Sequence, residues 1–223
     1  MQVNMKTSIL SKNDKEAQKL REHFKQFGLF VVNLMSSPGS GKTTLLESLA
    51  KIDSNFCVIE GDLQTNRDTQ RLWAAGIQAI QISTGDACHL EAAMVRESFL
   101  KLQSSITPQT QFLFIENVGN LVCPASYDVA AHMNIVALSV CEGDDKVLKY
   151  PTMFLCADVV LITKADLMPH FSFEVSRVQD DLRQLKADIP LFLISKNQQE
   201  TLQTFYQYLI SKKEQGYVSS HTF

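Results

Sequence analysis

The sequence predicts an α/β fold with a largely parallel central sheet flanked by helices and preceded by an amphipathic helix. Three observations predict it. First, an apolar run, Leu29 to Met35, leads through Ser36-Ser37-Pro38-Gly39-Ser40-Gly41-Lys42-Thr43 into Thr44-Leu45-Leu46-Glu47-Ser48-Leu49, which has helical spacing. Strand, glycine-rich turn, Gly-Lys-Thr and helix make a phosphate-binding loop, so the chain reads as a P-loop NTPase. Second, apolar runs of strand length alternate with segments of helical periodicity, the pattern of βα units joined by right-handed crossovers. Third, polar segments suited to a nucleotide site fall where the strands end, which is where open parallel sheets bind ligands.

The elements follow in order. Residues 11–27 form the N-terminal amphipathic helix, with Ala17, Leu20, Phe24 and Phe27 on one stripe, Ser11 or Asn13 as its cap and Gly28 as its stop. Strand 29–35, the P-loop and helix 43–52 come next. A short strand, Cys57-Val58-Ile59-Glu60, runs into a polar loop over 61–66 and a helix at 67–75. Strand 77–82 is followed by helix 89–103, with Ala92, Val95, Phe99 and Leu102 on one face. Strand 112–115 precedes the loop 116–124, and 134–140 and 158–163 are two more strands. Helix 173–187, strand 191–195 and helix 199–212 complete the pattern. Residues 213–223 lack apolar periodicity and read as a mobile tail. With no repeat and no long linker, residues 1–223 form a single domain.

Composition narrows the function. The net charge of −3 argues against a partner that presents a phosphate backbone, so no nucleic acid is expected. No apolar run reaches membrane-spanning length, and the N-terminus lacks the order of a signal peptide. The cysteines, at 57, 88, 123, 141 and 156, are odd in number with no CxxC pair. A reducing cytoplasmic location fits that pattern. Cys57, Cys141 and Cys156 lie in or beside apolar runs and read as core. His23, His132 and His170 have no evident partner in the sequence.

At the P-loop, backbone N–H groups and a helix N-terminus face the phosphates. Gly39, Ser40, Gly41 and Thr44 supply the cradle, Lys42 reaches the β- and γ-phosphates, and the Thr43 hydroxyl binds Mg²⁺. The first glycine of the general pattern is Ser36 here. Asp62 is a candidate to hold Mg²⁺ through water or to orient the attacking water. Glu116-Asn117-Val118-Gly119 has the acid-x-x-Gly form of a γ-phosphate switch, with Glu116 toward Mg²⁺ and the Gly119 N–H toward phosphate. Thr163-Lys164-Ala165-Asp166 matches the Asn/Thr-Lys-x-Asp element of guanine recognition. Asp166 accepts from the guanine N1–H and exocyclic amine, a donor pair that adenine lacks. The Lys164 stem lies along the base, and Ser195-Lys196-Asn197 closes over its edge.

Cys88 and His89 at a helix start, with Cys123 in the loop after Glu116, form a second constellation. Thiolate and imidazole suit zinc or nickel, and a cysteine near a helix N-terminus is more readily ionised. The alternative is two cysteines packed as small apolar residues and a solvated histidine. Spacing alone completes no chelating pattern and favours that alternative.

Several strings resemble the HypB family of nickel-delivering hydrogenase-maturation GTPases, within the SIMIBI class of P-loop GTPases, over about residues 8–212. They are Asn33 to Leu46, Gly61 to Thr65, Thr84 to Leu90, Glu116 to Pro124, Glu142 to Lys146 and Leu148 to Pro151. The resemblance implies a low-turnover GTPase and a metallochaperone that assists nickel insertion into NiFe-hydrogenase. It implies GTP, Mg²⁺ and Ni²⁺ or Zn²⁺ as ligands, and a metal site from Cys88, His89 and Cys123 at the interface of a GTP-dependent homodimer. It also implies a partner metallochaperone and a hydrogenase large-subunit precursor as recipients. Apolar residues near 148–155 are candidates for the dimer surface. The chain departs from the family in three places. It has no N-terminal cysteine motif or histidine tract, its base loop reads Ser195-Lys196-Asn197-Gln198-Gln199, and Val147 replaces a frequent proline. The competing expectations are a metal-independent regulatory P-loop GTPase and a urease-type nickel accessory GTPase.

Overall fold

The computed structural model describes residues 2–62, 66–85, 87–186 and 189–219, with side chains from residue 9. Seven strands form one sheet: β1 (Phe30–Ser36), β2 (Phe56–Asp62), β3 (Gln78–Ser83), β4 (Phe112–Glu116), β5 (Met133–Ser139), β6 (Val159–Thr163) and β7 (Leu191–Ile194). Their order is β3-β2-β4-β1-β5-β6-β7, and every pairing is parallel. β1, β4, β5 and β6 are buried along their whole length. That is why they read as unbroken apolar runs rather than alternating ones.

The helices are α1 (Gln2–Gln26), α2 (Lys42–Ala50), α3 (Arg67–Ala74), α4 (Ala92–Leu102), α5 (Lys146–Lys149), α6 (Pro151–Leu155), α7 (Val175–Leu185) and α8 (Gln199–Glu214). Alternate residues of β1 divide the core. Phe30, Val32 and Leu34 pack with Leu45 and Leu49 of α2 and Phe205 of α8. Val31 packs on the opposite face with Phe24 of α1 and Phe99 of α4. Met35 joins Met153 and Phe154 of α6 and Val178 of α7. The sheet is therefore covered on both faces, and the carboxyl ends of β1, β2, β4 and β6 open onto one rim.

Several boundaries differ from the sequence expectation. α1 starts at Gln2 rather than at 11, so Asn13 is not a cap but a buried mid-helix residue. β2 continues through Asp62. α4 starts at Ala92, so Cys88 and His89 lie in the loop before it and the helix-terminus argument for Cys88 does not apply. Two short helices, α5 and α6, occupy 146–155, where Leu148 and Leu155 are exposed. Cys141 is exposed rather than core. The stretch expected to be a mobile tail is anchored as far as 219. α8 runs to Glu214, Tyr217 Oη and Ser219 Oγ donate to Asp158 at 2.9 and 3.0 Å, and the Ser219 N–H donates to the His132 carbonyl. Residues 63–65, Asp86 and 220–223, which belong to the predicted loops and tail, lie outside the described residues.

Candidate nucleotide and metal sites

The P-loop joins β1 to α2 at the centre of the sheet. Gly39 and Gly41 have φ of 73° and 97°, a region that side chains with a Cβ disfavour. Ser36 explains its own departure from glycine. Its hydroxyl donates to the Ser37 carbonyl at 2.8 Å and accepts from Lys42 Nζ at 2.9 Å, so it holds the lysine in the loop. Burial pushes the Lys42 ammonium below the usual lysine range, and Glu116 is the foremost charge opposing that shift. Ser37 is tied by its hydroxyl to Glu142, which also caps the turn after β5.

Glu116 closes β4 beside the P-loop. Its Oε1 accepts from the Thr43 hydroxyl at 2.8 Å, while Oε2 is buried with no hydrogen-bond partner. Burial pushes this carboxyl up to about 7. An unpartnered buried carboxylate oxygen next to a P-loop threonine fits a divalent cation. Glu60 pairs with Glu116 across the β2–β4 ladder, is also raised to about 7 by burial, and accepts from Thr69 Oγ1 at 2.6 Å. A cleft of 540 Å³ is lined by Gly39, Gly41, Lys42, Thr43, Thr44, Glu116 and Lys164, and from α3 by Asp68 and Arg71. Asp62, at the end of β2, does not line it; its carbonyl accepts from the Thr84 N–H at 3.0 Å. Sequence reasoning missed Asp68 and Arg71.

An adjoining cleft of 680 Å³ is lined by Ser40, Gly41, Thr163, Lys164, Asp166 and Lys196 over the apolar Leu45, Ile194 and Leu202. Thr163 Oγ1 donates to the Ser40 carbonyl at 2.6 Å and Lys164 Nζ to the Gly39 carbonyl at 2.8 Å, so this loop is fastened to the P-loop. Asp166 receives Ser195 Oγ at 3.0 Å and Asn197 Nδ2 at 3.3 Å, one on each carboxylate oxygen. Ser195 thus orients the acid, and the altered base loop keeps a donor on it.

Cys88, His89 and Cys123 come together from loops far apart in sequence. Their ligand atoms all lie within 4.8 Å of one another, a grouping found once among the described residues. Cys88 Sγ is 2.7 Å from Cys123 Sγ and 3.8 Å from His89 Nδ1. The imidazole stacks on Tyr127 at 3.7 Å, and its Nε2 faces Glu91 at 3.7 Å, beyond hydrogen-bond reach. Burial pushes the ring below the usual histidine range, with Glu91 opposing, which keeps it neutral and able to donate a lone pair.

Buried amides join the two sites. Asn117, next to Glu116, accepts at Oδ1 from the N–H of Leu90, the residue after His89, at 3.3 Å. Its Nδ2 donates to Asn33 of β1 at 3.1 Å, and Asn33 donates to Asn134 of β5 at 3.0 Å. The Asn120 N–H donates to the Ser36 carbonyl, while Asn120 Oδ1 accepts from the N–H groups of Val122 and Cys123. On the outer side, Asn13 of α1 donates to the Asp128 carbonyl and accepts from the Ala92 N–H, both at 2.9 Å. The signal for Asn117 and Asn120 lay inside the Glu116–Pro124 string; nothing local marked Asn13.

Known proteins resemble this chain in sequence and in fold. Residues 30–192 match the family described as CobW/HypB/UreG, nucleotide-binding domain. The hydrogenase/urease maturation factor HypB of Helicobacter hepaticus is 58% identical, covering 99% of this chain and 92% of that protein. A crystal structure of HypB from Helicobacter pylori in complex with nickel superposes with a TM-score of 0.92 at 55% identity, covering 95% of this chain and 100% of that one. HypB from Archaeoglobus fulgidus gives 0.81 at 31% identity, covering 92% and 100%.

Proposed function

The chain belongs to the CobW/HypB/UreG family, among its HypB maturation factors, and from that premise we propose that it is a GTP-hydrolysing metallochaperone for nickel insertion into NiFe-hydrogenase. The observation that carries the reading is one continuous loop. It begins at Glu116, which holds the P-loop Thr43, and reaches Cys123, which meets Cys88 and His89.

Lys42 and the P-loop N–H groups bind the triphosphate, and Asp166 selects guanine. Thr43 and Glu116, which line the cleft, would hold Mg²⁺, and the ion would neutralise charge on the β- and γ-phosphate oxygens. The Gly119 N–H meets the γ-phosphate. Cys88, His89 and Cys123 take Ni²⁺ or Zn²⁺ as cargo. Three donors leave a fourth position for water or for a second subunit, which suits a GTP-dependent homodimer whose contact surface includes Leu148 and Leu155. Cargo passes to a partner metallochaperone and on to the hydrogenase large-subunit precursor. No helix among the described residues is long and apolar enough to cross a membrane, which supports a cytoplasmic setting. A second recipient, urease, is favoured by the name of the 58% identical relative, which covers both enzymes.

The test is titration of the protein with Ni²⁺ and Zn²⁺ in GDP and in a non-hydrolysable GTP analogue, with sedimentation in parallel. Stoichiometric binding that Cys123→Ala abolishes, and that changes with the analogue together with dimerisation, is the expected result. Absence of binding in both nucleotide states would overturn the metallochaperone role.

A further inference from the structure

The phosphate cleft has a cation that the site described above does not use. The Arg71 guanidinium, on the last turn of α3, lines the cleft with Gly41, Lys42, Thr43 and Glu116. Its Nη2 donates to Thr44 Oγ1 at 3.0 Å, one residue beyond the P-loop threonine. Nε and Nη2 grip the Glu47 carboxylate at 3.0 and 2.6 Å, and Nη1 reaches Asp68 at 2.8 Å. The guanidinium plane is therefore fixed at the cleft wall by a planar fork. The other cations of the cleft stand elsewhere: Lys42 within the P-loop, and Lys164 on the Gly39 carbonyl at the base side. Arg71 is the cation supplied from α3, the helix that follows β2 and the loop after Asp62.

Its present partners are exchangeable. The side chains of Arg71, Glu47 and Asp68 are 44%, 25% and 39% exposed, and ion pairs so open to water hold their members weakly. A triphosphate in the same cleft is a stronger acceptor for a guanidinium than a solvated carboxylate.

We propose that Arg71 is a catalytic residue acting in cis: it leaves Glu47 and donates to the γ-phosphate and the β–γ bridging oxygen of bound GTP during hydrolysis. This inference rests on the GTPase reading above. In that reaction the water oxygen bonds to the γ-phosphorus, and the bond from the γ-phosphorus to the bridging oxygen breaks. The electron pair of that bond stays on the β-phosphate of GDP, and the proton released by the water goes to the phosphate and solvent. Negative charge grows on the bridging oxygen as the bond breaks, and two N–H groups of one guanidinium meet it. Glu47 and Asp68 hold the arginine at the cleft wall between turnovers and compete with the phosphates for it.

The experiment measures single-turnover GTP hydrolysis, GDP affinity and formation of the GDP–aluminium fluoride complex, all with Mg²⁺, for wild type, Arg71→Ala, Arg71→Lys, Glu47→Gln and the Glu47→Gln/Arg71→Ala double variant. Arg71→Ala should lower the hydrolysis rate roughly 100-fold, the scale of losing one transition-state donor, with GDP affinity changed by less than about threefold. It should also lose the aluminium fluoride complex. Arg71→Lys should fold and keep GDP but recover little of the rate, because a lysine cannot reproduce the fork. Glu47→Gln should raise the rate, and the double variant should be as slow as Arg71→Ala. A rate in Arg71→Ala equal to wild type, or a gain in Glu47→Gln that survives in the double variant, would overturn the proposal alone. A wild type that hydrolyses no GTP would overturn the GTPase reading and this inference with it.

Discussion

Glu116 gathers the electrostatics of the phosphate site into one side chain. It is buried, it binds Thr43 through one oxygen, and its carboxyl is raised to about 7. A carboxyl raised in the folded state stabilises the fold fully below its unfolded pKa, and that contribution is lost as pH rises through the folded value. The loss is complete above about pH 7 and amounts to at most about 3 kcal/mol. Glu116→Gln keeps an acceptor for Thr43 and removes the charge. It should therefore raise the Tm of the nucleotide-free protein by several degrees at pH 8, with the gain vanishing near pH 4, while Mg²⁺-dependent hydrolysis falls at least about 100-fold. Thermal melts across that pH range check the first point; an equal gain at pH 4 and pH 8 would contradict the burial account. Lys42, Thr43 and Glu116 were legible because each sits within a few residues of a strand end. Asp68 and Arg71 were not, because they reach the cleft only through the packing of α3 against α2.

Elements show the same division between local and tertiary causes. The strands could be read because burial on both faces leaves continuous apolar runs. The start of α4 could not. Glu91 stands extended, and side chains elsewhere take its neighbours' N–H groups: Asn117 that of Leu90, Asn13 that of Ala92. The segment 88–91 therefore stays a loop and presents Cys88 and His89. The approach of the switch loop to the P-loop is likewise tertiary. A Cβ at Gly119 would lie 2.8 Å from Pro38 Cα and 2.9 Å from Pro38 N, against backbone that cannot swing aside. Gly119→Ala must push the two loops apart, at about 1–3 kcal/mol, typical of overpacking. The expected outcome is a Tm lower by several degrees and weaker binding of the GTP analogue than of GDP, read by calorimetry and fluorescent-nucleotide titration. Gly61→Ala is the comparison, since there the clash is with the Leu90 side chain, packed in the core, rather than with backbone.

Across the whole molecule, the buried amides of Asn134, Asn33 and Asn117 run over β5, β1 and β4 to the Leu90 N–H beside His89. If nucleotide exchange shifts Glu116, Asn117 connects that shift to the loop of His89 and Asn120 connects it to that of Cys123. Coupling between two binding sites is reciprocal: the factor by which GTP changes Ni²⁺ affinity must equal the factor by which Ni²⁺ changes GTP affinity. Both factors are measurable, and couplings of this kind are typically about 5–150-fold. Asn117→Ser shortens the side chain out of reach of Leu90 and Asn33, leaving their groups unpaired at roughly 1–3 kcal/mol, while Glu116, Thr43 and the three metal donors stay in place. The variant should still bind Ni²⁺ and GTP, with Cys123→Ala still abolishing the metal, but both coupling factors should fall together toward one. If they stay at wild-type values, the signal travels along the 116–123 backbone without the amide chain. If only one falls, reciprocity fails, and the two titrations are not reporting on the same pair of states.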